Sequence, residues 1–131
     1  MPRWIAAGGA FVVGLDSIMN IAFPAMATAF HVLPEQMRWV IISYVFTYSL
    51  MSFFGGSLAD RIGHGRVFRA GLALSAIGFV LAGFAPRFRW LLAGRVVQGF
   101  GGGFVYGTAP ALVTLAAPPA VRGRALGFLN A

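Results

Sequence analysis

Four runs of apolar residues, about Trp4 to Phe30, Trp39 to Leu58, Val67 to Ala85 and Trp90 to Ala117, occupy most of this 131-residue chain. Each is long enough, at about 1.5 Å per helical residue, to cross a hydrocarbon layer of about 30 Å. Lipid offers no water to the backbone N–H and C=O groups, so runs of this kind are held to helices. Composition points the same way, since 59% hydrophobic residues, 10% charged residues and a mean hydropathy of +0.81 exclude an ordinary soluble domain. The expected fold class is all-α integral membrane, with four transmembrane helices. A fifth begins at about residue 125, where the chain turns apolar again after Pro118, Pro119, Arg122 and Arg124. The first run is too long for a cleaved signal segment and holds Asp16 at its centre, so it reads as a retained helix. Pro24 and Pro110 are placed to bend the overlong first and last runs.

Charge sets the orientation. The net charge of +7 comes from ten arginines and no lysine. The arginines cluster at the ends of apolar runs rather than along one face, which points to membrane orientation and excludes nucleic acid as the partner. Arg3, Arg61, Arg66, Arg69, Arg122 and Arg124 fall on one side of the membrane, and Arg38, Arg87 and Arg89 on the other. The excess places the N-terminus in the cytoplasm of a multi-pass protein in the plasma or inner membrane. Trp4, Trp39 and Trp90 stand at run starts, where interfacial indoles sit. With no cysteine there is neither a disulfide framework nor a thiolate metal site. His31 and Glu35 lack metal-ligand spacing and read as solvated. No nucleotide-binding glycine loop, activated nucleophile or paired carboxylates are found, so neither a cofactor nor an enzyme activity is expected.

Small residues predict how the helices pack. Gly99, Gly103 and Gly107 recur every fourth position on the fourth run, and Gly71, Ser75, Gly78 and Ala82 make a similar stripe on the third. Polar groups in the apolar runs are the functional candidates. Asp16 lies about 18 Å along its helix from Trp4, near mid-membrane, with Asn20 one turn further on. A carboxylate there needs a cavity, a proton or a partner. Both a structural hydrogen bond by a neutral Asp16 and a proton- or substrate-handling role satisfy that need. Arg95 and Gln98 form a matching stripe on the fourth run, continued by Gly102, Tyr106 and Ala109. Arg95 is about 7.5 Å in from Trp90, close to the depth of Asp16, so an ion pair between them competes with a snorkelling arginine. Tyr44 and Tyr48, one turn apart with Thr47 beside them, read either as packing or as a cavity for an apolar or aromatic ligand.

The segment Gly56-Ser57-Leu58-Ala59-Asp60-Arg61-Ile62-Gly63-His64-Gly65-Arg66 is a basic, glycine-hinged turn between two runs. It resembles the signature loop between helices two and three of the major facilitator superfamily of secondary transporters. Leu92-Ala93-Gly94-Arg95-Val96-Val97-Gln98-Gly99 resembles that family's fourth-helix motif, and Leu15 to Pro24 is similar to a first-helix motif of its drug:proton antiporter branch. The resemblance implies that Gly56, Asp60, Arg61, Gly63 and Arg66 belong to a cytoplasmic gate, with Gly56 allowing close helix approach. It implies proton coupling by Asp16 and Arg95, and a cavity lined by Asn20, Gln98, Tyr44, Tyr48 and Tyr106. Partners would be a small-molecule substrate, protons, membrane lipid and a C-terminal half of the transporter. His64 and Gly65 depart from the family pattern, standing where basic residues are usual.

Family members have about twelve or fourteen helices in two halves, so the chain is expected to be an N-terminal fragment, the fold a part of the N-terminal six-helix half. The function so implied is proton-coupled export of small hydrophobic or drug-like compounds by alternating access. Metabolite or sugar uptake within the same superfamily, a small four-helix dimeric multidrug transporter and a non-transporting membrane remnant are the alternatives.

Overall fold

The structure is a computed structural model that describes residues 3–130, with the backbone alone for residues 3, 4, 6 and 128–130. The expected roles of the Trp4 indole and the Arg3 charge therefore lie outside the described side chains. Helix α1 spans Arg3–Ala29, α2 Pro34–Ile62, α3 His64–Gly83, α4 Phe88–Ala116 and α5 Arg122–Asn130, with one turn of 3-10 helix at Pro119–Val121 before α5. The first three are long and apolar enough to cross a membrane. α4 is as long as α2, at 29 residues, but its glycines, Thr108 and Pro110 lower its hydropathy.

Local chemistry explains the boundaries. Pro34 opens α2 at a position where its missing N–H costs nothing. The Leu33 N–H just before it donates to the Gln36 side chain at 3.1 Å, and the preceding turn is closed by His31 at φ 51°. Between α2 and α3 the expected turn of several residues shrinks to one. α2 runs on through Asp60 and Arg61 to Ile62, and only Gly63, at φ 101°, interrupts the helical path before His64. Charged residues at a membrane surface are free to stay helical, so the break falls where a residue without Cβ permits it.

α4 is the centre of the bundle, packing on α1, α2, α3 and α5. Two glycine ridges make this close approach feasible. Facing α2, a Cβ at Gly99 would lie 2.9 Å from Thr47 Cβ, one at Gly103 2.5 Å from Met51 Cβ, and one at Gly107 2.8 Å from the Ser52 carbonyl oxygen. Facing α3, Gly101 lies against Ser75, and a Cβ at Gly94 would lie 2.8 Å from the Ala82 nitrogen. The stripe on α3 answers with Gly71 and Gly78, the latter leaving only 2.5 Å between a Cβ and the Gln98 nitrogen. Both small-residue stripes thus pack on partners inside this chain.

The bundle buries polar groups inside and exposes large apolar side chains outside. Arg95, Gln98, Ser75 and Thr108 are at most 2% exposed, whereas Phe53, Phe46, Ile21 and Leu115 are 69% exposed or more. That inversion is the signature of a surface covered by lipid or by further helices. Two apolar clusters divide the interior. Met19, Met37, Val40, Ala82 and Leu91 form one, and Ile5, Val12, Phe68, Val105, Ala109 and Val113 the other. Replacing Gly101 by Val should cost about 1–3 kcal/mol or more through overpacking against α3. Gly14→Ala, where a Cβ would meet nothing within 4 Å, should hold or raise the melting temperature in detergent. Equal melting temperatures for the two variants would contradict this packing.

Candidate proton-coupling site

Between the two clusters sits a polar layer. On α1 Asp16 falls between Val12 and Met19, on α2 Tyr44 follows Val40, and on α4 Arg95 and Gln98 fall between Leu91 and Val105. Gly102 and the ridge of Gly99, Gly103 and Gly107 let α2 and α4 meet closely, and the Asp16 side chain reaches them from α1.

Gln98 holds the layer together. Arg95 Nη1 donates to Gln98 Oε1 at 2.8 Å, and Gln98 Nε2 donates to Asp16 Oδ1 at 3.2 Å. The same Asp16 oxygen lies 3.8 Å from Arg95 Nη1, so the carboxylate and guanidinium form an ion pair bridged by an amide. The Tyr44 hydroxyl donates to the other carboxylate oxygen, Oδ2, at 2.5 Å. Its ring also faces the cation, with Arg95 Cζ 4.2 Å from the ring centre. Arg95 is buried and does not snorkel; its Nε has no hydrogen-bond partner among the described residues.

An aromatic wall continues from the layer. Tyr44 and Tyr48 stack with centroids 5.8 Å apart and planes 18° apart, and Tyr106 meets Tyr48 edge-on at 5.4 Å. All three tyrosines are half-buried. Asn20, one turn beyond Asp16, is exposed and joins none of these contacts. Sequence reasoning matched Asp16 with Arg95 and Gln98 but did not connect Tyr44 to the carboxylate. The available signal was depth, because Tyr44 lies as many residues beyond Trp39 as Arg95 lies beyond Trp90.

The gate residues occupy the other end of α2. Asp60 is largely exposed and lies 3.5 Å from His64 Nε2 across the Gly63 break. Arg61 and Arg66 are exposed, and neither approaches the polar layer's partners. A Cβ at Gly56 would meet nothing within 4 Å, whereas one at Gly55 would lie 3.2 Å from the Phe104 ring. Within this chain, then, the close contact to α4 is made by Gly55, and Gly56 faces away from the described helices.

Residues 5–131 match the sequence profile of the Major Facilitator Superfamily. The chain belongs to that superfamily. Its members are transporters rather than enzymes. The chain is 43% identical, over 100 residues, to the "Putative multidrug resistance protein MdtD" of Serratia proteamaculans (strain 568), a match covering 76% of this chain and 21% of the relative. Over 128 residues it is 34% identical to the protein of the same name in Salmonella newport (strain SL254), covering 97% of this chain and 27% of the relative. The riboflavin transporter RibZ of Clostridioides difficile (strain 630) is 31% identical over 124 residues, or 94% of this chain and 27% of the relative. The chain thus spans between 21% and 27% of the length of these curated relatives. No solved structure matches it.

Within this superfamily member the ion pair sets a stability expectation. Asp16→Leu leaves the Arg95 guanidinium buried without its anion, at a cost of about 3–5 kcal/mol. Asp16→Asn keeps an acceptor for the Tyr44 hydroxyl and should lose clearly less. Both variants remove the anion, so thermal unfolding in detergent against wild type measures the loss they share, and an Asn variant as stable as wild type would rule out a net contribution from the pair.

Proposed function

We propose that this chain provides the proton-coupling site of a secondary transporter that exports small hydrophobic or drug-like compounds in exchange for protons by alternating access. The observation that carries this reading is the Asp16–Gln98–Arg95 bridge with Tyr44, an ionisable network enclosed between two apolar clusters. A carboxylate and a guanidinium at that depth are expensive to keep, and in a transporter such groups serve ion or proton movement. Asp16 is the group that takes up and gives up the proton, while Arg95 is the counter-charge whose hold on it changes as the helices move. Tyr48 and Tyr106 offer apolar, aromatic surface next to the carboxylate, a chemistry suited to hydrophobic and aromatic compounds. The resemblance to proteins named for multidrug resistance supports export. At the far end of α2, Asp60, Arg61 and Arg66 would form one side of a cytoplasmic gate, closing against the C-terminal half of the transporter.

A second reading follows from the likeness to a protein named as a riboflavin transporter. A flat, polar metabolite would use the same tyrosines, and the direction of transport would differ. In proteoliposomes holding a full-length transporter with this sequence, an imposed pH gradient should drive dye export, and Asp16→Asn should abolish that drive, lowering the rate by at least about tenfold. Undiminished gradient-driven export by the Asn variant would remove Asp16 from the coupling step. Gradient-driven riboflavin movement without dye export would favour the second reading.

The excess of arginine supports an N-terminus and an α2–α3 turn on the cytoplasmic side. Because the chain has no cysteine, single substitutions report sidedness directly. A membrane-impermeant maleimide added to intact cells should label Leu33→Cys and leave Gly123→Cys unmodified; the opposite pattern would invert the topology.

A further inference from the structure

We propose that Tyr44 is the positioning residue that ties ligand occupancy of the aromatic wall to the proton carried by Asp16; this rests on the proton-coupled reading above. Three contacts meet on this one side chain. Its hydroxyl donates to Asp16 Oδ2. Its ring lies nearly parallel to Tyr48, which in turn meets Tyr106 edge-on. The Arg95 guanidinium sits 4.2 Å from the ring centre. Tyr44 therefore touches the acid, its counter-ion and the wall at once, and among the described residues no other side chain does so.

The geometry makes the link mechanical. A phenol is rigid from ring to oxygen, so a displacement of the ring by a ligand pressed against Tyr48 moves the hydroxyl by a comparable distance. A hydroxyl aimed at a carboxylate distinguishes the charged from the neutral acid, because the neutral acid carries its own O–H donor. Ligand contact and proton occupancy are thus read by the two ends of one ring. Gly102 keeps the path open. A Cβ there would lie 3.1 Å from the Tyr44 hydroxyl oxygen, so a larger residue would crowd the hydroxyl that reaches Asp16.

Linkage makes the proposal measurable, since a proton that follows the ligand makes ligand affinity depend on pH. Ethidium, a planar aromatic cation, is the probe, and its fluorescence on binding to the full-length transporter in detergent gives Kd across the neutral pH range. The wild-type Kd should change with pH, up to about tenfold per pH unit for one exchanged proton. Asp16→Asn should flatten that dependence. Tyr44→Phe keeps the ring and loses only the hydroxyl, so it should bind ethidium yet retain less than about half of the wild-type slope. Tyr48→Ala removes the ring through which the ligand presses on Tyr44, so it should weaken binding about tenfold and also lower the slope. A Tyr44→Phe slope equal to that of wild type, with Asp16→Asn flat, would overturn the role of Tyr44 and leave proton coupling by Asp16 standing. Loss of ethidium binding by Tyr44→Phe at every pH would overturn it too, because the ring contacts survive that change. A wild-type Kd independent of pH would instead refute the proton-coupled reading on which the proposal rests.

Discussion

A guanidinium that is 2% exposed at the centre of an apolar bundle must be answered by an anion, and everything around Arg95 is arranged to supply one. Direct contact with Asp16 is long, at 3.8 Å. The Gln98 amide shortens the electrical path by accepting from the cation and donating to the anion. Such a bridge satisfies both partners without forcing them into a tight, bidentate clasp. A pair so held can separate by rearranging one amide.

Where the bridge can form is decided by α4. One face of that helix bears Gly99, Gly103 and Gly107 and lies on α2; another bears Gly94 and Gly101 and lies on α3. With both of those faces reduced to backbone, α2 and α3 close in on either side of Arg95 and Gln98. Bulk on either ridge would widen the bundle, and Tyr44 would no longer reach both Asp16 and Arg95. α4, the innermost helix, is nonetheless not among the three helices that are long and apolar enough to cross a membrane. Burial in lipid-facing terms and burial in the protein are therefore different properties of the same sequence.

Much of this was legible from residue spacing, and the exceptions have physical causes. Counting helical rise from the tryptophans put Asp16 and Arg95 at one depth, and the structure pairs them. The same count from Trp39 reaches Tyr44, but depth alone does not say which way a helix faces, and an i, i+4 tyrosine pair is equally good packing. Helix phase also separates Gly55 from Gly56. They are neighbours in sequence and about 100° apart around the axis, so only the observed rotation of α2 assigns the close contact to Gly55. The α2–α3 turn is shorter than the charged stretch suggests, because charge marks the membrane surface and not the end of a helix. Asn20 was placed with Asp16 by periodicity, yet the polar layer is only one side chain deep on α1, and the next turn lies outside it.

The helices are not held to one another equally. α2 and α3 are joined by Gly63 alone, and each is locked to α4 by backbone-to-backbone contact along a glycine ridge. Among the described contacts, α1 shows no such ridge. It touches the others through Gly8 against Phe68, through apolar side chains in the two clusters, and through Asp16. Side-chain contacts deform more readily than close-packed backbone, so α1 is joined to α2, α3 and α4 by the softer kind of contact. Asp16 is the only ionisable residue on α1 within the polar layer, and its charge is what Arg95, Gln98 and Tyr44 hold. Removing that charge would leave α1 held by Gly8 and by the side chains of the two clusters.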